Sequence, residues 1–312
     1  TDAALLGALA IAGREDAERW GAERARVAFV AMGRYGGREC SYASDADVIA
    51  LHEAVGGASD SEAAASATAI VNRVKKLLGS ATSQLGIVVD LDLRPEGKNG
   101  PMSRTIASHE EYAQRWASTW ERQAAVRARP IGDGELAQAA RSLFESMAYR
   151  DVSEAEVRDI RLLKARMENE RLPRGTEPAR HVKLGPGGLS DVEWTIQLIQ
   201  MRHGREVEAL RTSSTTDAIA AARDAGLLGA SDAEILLNAW DLATRIRAGN
   251  TLATGRMSGV KLDVVPRDSA ELGALAAILG YGSGGLTALE EDWLRAARQA
   301  RDVMERAFWE QQ

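Results

Sequence analysis

Apolar residues along the first part of this chain occur in short runs that are typical of buried β-strands. The runs Val27–Met32 and Asp47–Leu51 are rich in branched residues, and a glycine-rich segment lies between them. A third segment, Gly86–Pro95, alternates apolar and acidic residues, so an extended backbone would place Asp90 and Asp92 on one face. These three runs predict a small sheet.

Helical spacing of apolar residues surrounds the predicted strands and continues to the end of the chain. Leu5, Leu6 and Leu9 predict an inward face on a helix from Ala3 to about Trp20. Polar residues followed three positions later by glutamate predict helix starts at Ser59 with Glu62, Ser108 with Glu111, Ser153 with Glu156, Ser231 with Glu234, and Asp268 with Glu271. We therefore predict an α+β fold, with a small mixed sheet in residues 1–134 and a helical bundle in residues 135–312.

The segment between the first two strands carries the strongest chemical signal. Gly33, Gly36 and Gly37 permit a tight turn and close backbone approach to a phosphate, and Arg34 and Ser44 lie in the same segment. Asp45 and Asp47 follow at a spacing of two, which on a strand separates their α-carbons by roughly 6.5 Å on one face. A solvated turn is the plain alternative for these two aspartates. The glycines favour metal-dependent chemistry on a nucleotide.

Two Mg²⁺ ions held by carboxylates are the usual means of in-line nucleotidyl transfer, and a third carboxylate is normally needed. Asp90 or Asp92 can fill that place, and the sequence alone does not separate them. Arg94 and Lys183 are candidates for neutralising phosphate charge, although lone cations of this kind are more often surface ion pairs. We therefore predict Asp45, Asp47 and Asp90 as catalytic, and these three with Asp92 as metal ligands.

Two other sequence patterns each have a structural and a functional interpretation. Trp116 and Trp120 are four residues apart and favour one buried helix face over a base-stacking role. Ser190 is a candidate helix cap after the glycine-rich segment Leu184–Leu189, which could equally approach a ligand. Neither pattern decides the function.

The order of a glycine turn, Asp-x-Asp and a later strand aspartate resembles the nucleotidyltransferase superfamily related to DNA polymerase β. Four segments narrow the resemblance to the glutamine synthetase adenylyltransferase family: Gly33–Glu39 with Ser44–Asp47, Asp90–Pro95, Trp120–Arg129 and Lys183–Trp194. That resemblance implies a polymerase β-like catalytic domain followed by a helical bundle, ATP as substrate, and Mg²⁺ or Mn²⁺ as cofactor. It also implies that Gly33, Arg34, Gly36, Gly37, Ser44, Arg94 and Lys183 bind the nucleotide.

The same resemblance implies a protein substrate, glutamine synthetase, to which AMP is attached at a tyrosine. Enzymes of that family have one half that attaches AMP and another that removes it by phosphorolysis. Gln123 and the pair Ser190–Asp191 resemble the attaching, C-terminal half. The chain begins at Thr1 without a methionine, so we expect a part of a longer enzyme. A PII-type signalling protein is a further expected partner.

Composition excludes some classes of protein. The net charge is −6, whereas nucleic-acid-binding proteins usually carry a basic face, so we expect no nucleic-acid partner. No run of 18 apolar residues occurs, which predicts no membrane span. The single cysteine, Cys40, cannot form an internal disulfide, and this fits a cytoplasmic protein. A small-molecule nucleotidyltransferase and a regulatory binding module with a silent site are the alternative functions.

Overall fold

Residues 1–42, 44–79, 86–282 and 285–310 are described by a computed structural model in which the chain divides into two units. The first unit contains Thr1–Cys40 and Ser44–Arg150, and the second contains the short segment that starts at Ser41 together with the chain from Asp151 onward. Each unit has its own cluster of buried apolar side chains. The α+β class predicted from the sequence is confirmed.

The first unit combines a small sheet with helices. Its elements are α1 (Asp2–Trp20), β1 (Ala25–Ala31), α2 (Gly33–Gly36), β2 (Ala46–Ala54), α3 (Asp60–Leu78), β3 (Val89–Asp90), β4 (Ser103–Arg104), α4 (Ile106–Arg115), α5 (Thr119–Ala125), β5 (Arg129–Pro130) and α6 (Glu135–Ala148).

The sheet is mixed, and its strand order within the described residues is β3-β2-β1-β5, with β4 also paired to β2. Strands β1 and β2 are antiparallel, with Ala31 opposite Val48. Strands β2 and β3 are parallel, with Asp47 opposite Asp90. One face of β1 and β2 packs on α1 and α3, through side chains such as Phe29 and Val48 that exclude water. This sheet brings the two predicted acidic strands together.

The helix starts predicted from the sequence have mixed outcomes. The capping boxes at Ser59 and Ser153 form as predicted, and Asp268 caps its helix by accepting from the backbone N–H of Glu271. The predicted start at Ser108 is wrong, because Thr105 caps α4 and accepts from the N–H of Ser108. The predicted cap at Ser231 is also wrong, since that helix already begins at Ala230.

The prediction of an extended strand over Gly86–Pro95 is wrong beyond its centre. Within the described residues of that segment, only Val89–Asp90 pairs as a strand. The N–H of Asp92 donates to the Oδ1 atom of Asp90 at 2.7 Å, so the side chain of Asp90 starts a turn that ends the strand. On α1, Leu5 is buried as predicted, whereas Leu6 is exposed.

In the second unit, the regular secondary structure of the described residues is helical, apart from an isolated bridge between His181 and Val264. Its helices are α7 (Glu154–Glu170), α8 (Leu189–His203), α9 (Thr215–Asp224), α10 (Ala230–Thr254), α11 (Ser269–Ile278) and α12 (Gly285–Met304), with short 3₁₀ turns and a final π-helical turn, Glu305–Trp309. Trp293 and Leu275 are among the fully buried side chains of its core.

The predicted domain boundary and the boundary between the two units differ by the length of helix α6, which lies between them. We predicted the boundary at residue 134, whereas the first unit extends to Arg150. Helix α6 packs against β1, β2, α4 and α5 through Leu136, Ala140 and Phe144. The assignment of domains by function stays a prediction.

No helix in the described part of the chain combines the length and apolar character that a membrane crossing requires.

Candidate active site

Asp47 and Asp90 lie side by side on neighbouring parallel strands. They are register partners in the β2–β3 pair, and each is half-buried. Adjacent strands are about 4.8 Å apart, and residues in register point to the same face of a sheet. The two carboxylates therefore occupy one edge of the same face, as expected of residues that act on one ligand.

The glycine turn begins directly against Asp47. Gly33 has a φ of +51°, and a Cβ atom there would lie 3.0 Å from the Oδ2 atom of Asp47. The backbone N–H of Met32 donates to the carbonyl oxygen of Asp47 at 2.9 Å. A side chain at position 33 would therefore press on the carboxylate, so glycine is needed here for both its backbone conformation and its size.

Gly36 and Gly37 have a different role from the one that the sequence suggested. A Cβ atom on Gly36 would lie 1.8 Å from the carbonyl oxygen of Arg127, so the close approach there is made by the protein's own backbone. The N–H groups of Gly36 and Gly37 donate within the turn, to the carbonyls of Met32 and Gly33. Their contact with phosphate stays a prediction.

Three arginines hold the carbonyl groups of this turn. Arg34 donates from Nε and Nη2 to the carbonyl of Glu39, at 3.0 and 2.7 Å. Arg127 is buried, donates to the carbonyl of Gly33 at 3.1 Å, and pairs with the carboxylate of Glu39. Arg129 donates to the carbonyl of Gly36 at 3.0 Å. Because guanidinium groups are rigid multiple donors, these contacts fix the turn beside Asp47.

Arg129 also ties the turn to the start of α1. Its Nη1 and Nη2 atoms donate to the carboxylate of Asp2 at 2.9 and 3.0 Å, and these hydrogen bonds hold the pKa of Asp2 below its usual range. The hydroxyl of Tyr35 donates to the same carboxylate at 2.8 Å. The turn is thus supported from two sides.

Asp45 and Ser44 precede β2. Asp45 is exposed and immediately precedes the first residue of the strand, whereas Ser44 is half-buried. Partial burial raises the pKa of the neighbouring Cys40 thiol, and the charge of Asp47 acts in the same direction against that of Arg34. Cys40 is exposed, and a raised pKa makes a thiol a weaker nucleophile near neutral pH, so nothing here favours a nucleophilic role for it.

Asp92 does not share the strand face of Asp90. Its carboxylate lies 3.2 Å from Nζ of Lys98 and 3.9 Å from Nη1 of Arg94. Arg94 also donates to the carbonyls of Leu91 and Gly100, so it shapes the loop that follows Asp90. Of the two alternatives that the sequence left open, only Asp90 lies on the strand beside Asp47, and which of them ligates a metal stays a prediction.

The donor chemistry of this edge fits Mg²⁺. Among the described residues, no three histidine, cysteine, aspartate or glutamate side chains converge on a point where they could hold a metal ion. Mg²⁺ is usually bound by one or two carboxylates together with substrate phosphates and water. Asp47 and Asp90, which are opposite each other in neighbouring strands, supply such carboxylates, and Asp45 lies two residues before Asp47. The metal roles of these residues and of Asp92 stay predictions.

The motif that contains Lys183 lies in the second unit. Gly187 has a φ of +72°, and a Cβ atom there would lie 1.7 Å from the carbonyl of Ala297 on α12. Close packing of the unit's own backbone therefore accounts for this glycine. Of the two interpretations left open for this segment, the one with Ser190 as helix cap is wrong, since Gly188 occupies the N-cap position and α8 begins at Leu189. The role of Lys183 in nucleotide binding stays a prediction.

A buried ionic network surrounds Asp191. Nζ of Lys164 lies 2.5 Å from its Oδ1 atom, and Arg301 and the N–H of Gly187 contact Oδ2 at 3.1 and 2.7 Å. Burial opposes ionisation of Glu168, but Arg301 and Lys164 outweigh it and hold the pKa of Glu168 below its usual range. Sequence reasoning missed Lys164, although its place on the apolar face of α7, one turn after Ile160, was a signal.

Trp116 and Trp120 are exposed, so their predicted place in a core is wrong. Helix α4 ends at Arg115 and α5 begins at Thr119, which puts the two indoles on different elements. The exposed fraction is 74% for Trp116 and 41% for Trp120. Helical spacing predicted a shared face only because the helix break could not be seen.

Two family models match the chain. Residues 2–143 match a model described as glutamate-ammonia ligase adenylyltransferase, and residues 161–308 match one described as GlnD PII-uridylyltransferase. Both descriptions name nucleotidyl transfer. The class defined by these matches is that of the nucleotidyltransferase enzymes.

Individual proteins similar to this chain carry a more specific name than the two family models. Proteins named bifunctional glutamine synthetase adenylyltransferase/adenylyl-removing enzyme match 99% of this chain at 45% identity in Streptomyces coelicolor and at 44% in Bifidobacterium longum subsp. infantis. One in Mycobacterium marinum matches 98% of it at 40%. Over nearly its whole length, this chain is therefore similar to bifunctional glutamine synthetase adenylyltransferase/adenylyl-removing enzymes. It spans about a third of the length of these relatives, at 31%, 29% and 31%.

Proposed function

We propose that this chain transfers AMP from ATP to a tyrosine of glutamine synthetase and releases pyrophosphate. The observation that carries the proposal is the register of Asp47 with Asp90 beside a turn that starts against the Asp47 carboxylate. The names of the relatives support the adenylyl group and the protein substrate. A polymerase β-like catalytic domain and a helical bundle are part of the same proposal.

The reaction forms one bond and breaks one bond. The tyrosine oxygen attacks the α-phosphorus of ATP, and the bond from that phosphorus to the bridging oxygen of pyrophosphate breaks. A phenol has a pKa of about 10, so its proton must pass to a base as attack proceeds. Asp90 is the base we propose, because Asp92 is paired with Lys98 in the following loop.

The carboxylates and the turn have separate tasks. Asp45, Asp47 and Asp90 would hold two Mg²⁺ or Mn²⁺ ions, and the bound ions would neutralise phosphate charge and stabilise the departing pyrophosphate. The turn from Gly33 to Ser44 places the triphosphate, with Arg34, Arg94 and Lys183 as proposed cationic contacts. Most of the catalysis is then positioning and charge stabilisation.

Removal of AMP by phosphorolysis is the second candidate, because the relatives' names contain both activities. It would use the same carboxylates, with orthophosphate attacking the tyrosine-linked phosphorus and ADP as product. Gln123 and Ser190–Asp191 favour the attaching half. A PII-type signalling partner and a cytoplasmic location complete the proposal.

An intact-mass experiment tests the direction. The chain is incubated with α-labelled ATP, Mg²⁺ and unmodified glutamine synthetase, and the synthetase is weighed by mass spectrometry. A gain of one AMP per subunit supports attachment. Loss of AMP from adenylylated synthetase on addition of phosphate, without any gain in the first assay, identifies the removing half. Neither change, from a folded protein, contradicts both candidates.

A further inference from the structure

We propose that Arg127 is a positioning residue for the Asp47 carboxylate and acts on it through Gly33. The inference rests on the proposed function, since it concerns how the proposed metal-binding edge of the same site is held in shape. Only 4% of the surface of Arg127 is exposed. A guanidinium buried at this depth needs partners for its charge and its N–H groups, and two of those partners lie in the glycine turn.

The side chain of Arg127 joins the two ends of the glycine turn. Its Nε atom donates to the carbonyl of Gly33 at 3.1 Å, and its Nη2 atom pairs with the carboxylate of Glu39. The backbone of Glu39 is itself held by Arg34, which donates twice to its carbonyl and accepts from its N–H at 2.8 Å. Because the donors of a guanidinium are rigidly spaced, Arg127 fixes the two ends of the turn relative to each other.

The backbone that carries Arg127 is fixed against the same turn. Its N–H donates to the carbonyl of Ala124 at 3.0 Å, where α5 ends. Two residues further on, Arg129 begins β5, which pairs with β1. The carbonyl oxygen of Arg127 lies so close to Gly36 that a Cβ atom there would come within 1.8 Å of it. The guanidinium therefore reaches Gly33 from a backbone that is already ordered, which keeps the site preorganised.

Gly33 passes this restraint to the candidate active site. Its φ is +51°, and a Cβ atom on it would lie 3.0 Å from the Oδ2 atom of Asp47, so the backbone of Gly33 borders that carboxylate. The carbonyl that Arg127 holds belongs to the same residue. Loss of this donor would let the peptide after Gly33 rotate and would change the wall against Asp47. Groups that orient metal ligands typically change metal affinity by about 10- to 100-fold when they are removed.

The test measures Mn²⁺ binding to the full chain, with and without a non-reacting ATP analogue, from the electron paramagnetic resonance signal of free Mn²⁺. The main variant combines Arg127→Met with Glu39→Leu and removes both charges of the buried pair. Apolar residues of similar volume often replace such a pair without loss of stability, so this double variant should melt near the wild-type temperature. We expect its dissociation constant for Mn²⁺ to rise about tenfold or more, because the donor to the Gly33 carbonyl is missing.

Arg127→Lys and Arg122→Met are the comparison variants. Lysine keeps the charge opposite Glu39 but lacks the planar fork that serves two acceptors at once, so Arg127→Lys should recover part of the lost Mn²⁺ affinity. Arg122 is buried to the same degree, at 3% exposed, and donates to the carbonyl of Met147 near the end of α6. Arg122→Met should therefore lower the melting temperature but leave the Mn²⁺ affinity of the folded protein unchanged.

Two results would overturn the inference. One is a double variant that binds Mn²⁺ within about twofold of wild type, and the other is an equal loss of Mn²⁺ affinity in Arg122→Met. If the double variant does not fold, Arg127→Lys decides, and wild-type Mn²⁺ affinity in that variant would contradict a positioning role for the guanidinium.

Incorporation of labelled AMP into glutamine synthetase separates this inference from the proposed function. If wild type binds Mn²⁺ but transfers no AMP, and the double variant binds Mn²⁺ at least tenfold more weakly, the positioning role stands and the proposed reaction fails. If wild type transfers AMP without binding Mn²⁺, or if the double variant binds Mn²⁺ and reacts as well as wild type, the reaction stands and the positioning role fails. If wild type neither binds Mn²⁺ nor transfers AMP, both fail.

Discussion

Asp47 and Asp92 are aspartates of the same unit that differ in what surrounds them. Asp47 is in register with Asp90 and touches the start of the glycine turn, whereas Asp92 is paired with Lys98 on an exposed loop. We expect Asp47→Asn or Asp90→Asn to reduce the rate of AMP transfer by at least about 100-fold, because preorganised charge at the reacting phosphate is lost.

Asp92→Asn is the matched control for those variants. It removes one charge from an exposed pair, and such pairs contribute little, so transfer should fall less than about fivefold. Incorporation of labelled AMP measures the rates, and urea unfolding checks that each variant is folded. Equal losses for Asp47→Asn and Asp92→Asn would contradict the assignment of Asp90 and Asp47 as the working pair.

His109 gives a prediction for the dependence of stability on pH. Burial, with the positive charge of Arg104, lowers the pKa of His109 to about 4, and its Nδ1 atom has no hydrogen-bond partner among the described residues. The folded state therefore binds this proton more weakly than the unfolded state. Stability from the neutral ring is complete above the unfolded pKa of about 6.5 and is lost as the pH falls toward 4.

Urea unfolding between pH 7 and pH 4.5 measures that loss. A pKa difference of this size corresponds to roughly 3 kcal/mol at most, and His109→Leu should remove this part of the pH dependence. His203→Leu is the comparison variant: burial also lowers the pKa of His203, but this residue is only half-buried on α8, so its loss should remove less of the pH dependence. An identical pH profile for wild type and His109→Leu would refute the prediction.

For the secondary-structure elements, the effect of replacing a glycine by alanine depends on which atoms lie next to that glycine. A Cβ atom on Gly36 would overlap the backbone of Arg127, whereas one on Gly13 of α1 would have no neighbour within 4 Å. We expect Gly36→Ala to destabilise the first unit by about 2 kcal/mol or more, since the overlapping atom is backbone and overpacking is costly.

Gly13→Ala should have the opposite sign. In an open position inside a helix, alanine is favoured over glycine by about 0.5–1 kcal/mol. Urea unfolding of both variants and wild type decides the matter. A Gly36→Ala protein as stable as wild type would mean that the contact with Arg127 is not tight, and the argument for this glycine would fail.

Individual elements show which parts of the fold could be predicted from the sequence. The segment β1–turn–β2 was predictable because three signals agree over Val27–Leu51: the apolar runs, the glycines and the spacing of the aspartates. The third strand was not, because Asp90 and Asp92 alternate like strand residues while the Asp90 side chain in fact accepts from the N–H of Asp92 and closes a turn. The ion pair of Lys164 with Asp191 was missed because the two residues are 27 positions apart in the chain.

For the whole molecule, the position of the boundary between the two units can be tested by shortening the chain. Helix α6 lies in the first unit, where the Nε atom of Arg122 donates to the carbonyl of Met147 at 2.8 Å and Phe144 packs edge-on against His109. Removing α6 would expose these buried groups to water, at a cost in apolar burial and in unsatisfied hydrogen bonds.

We therefore expect a protein ending after Arg150 to unfold cooperatively in urea, and one ending after Gly134 to lose that transition. Circular dichroism records the unfolding, and binding of a hydrophobic dye reports the exposed core. The substitution Phe144→Ala in the longer protein is an intermediate case that should lower stability by about 3 kcal/mol without abolishing the transition. If the protein ending at Gly134 unfolds as cooperatively as the longer one, α6 belongs with the second unit and the boundary at residue 134 is the correct one.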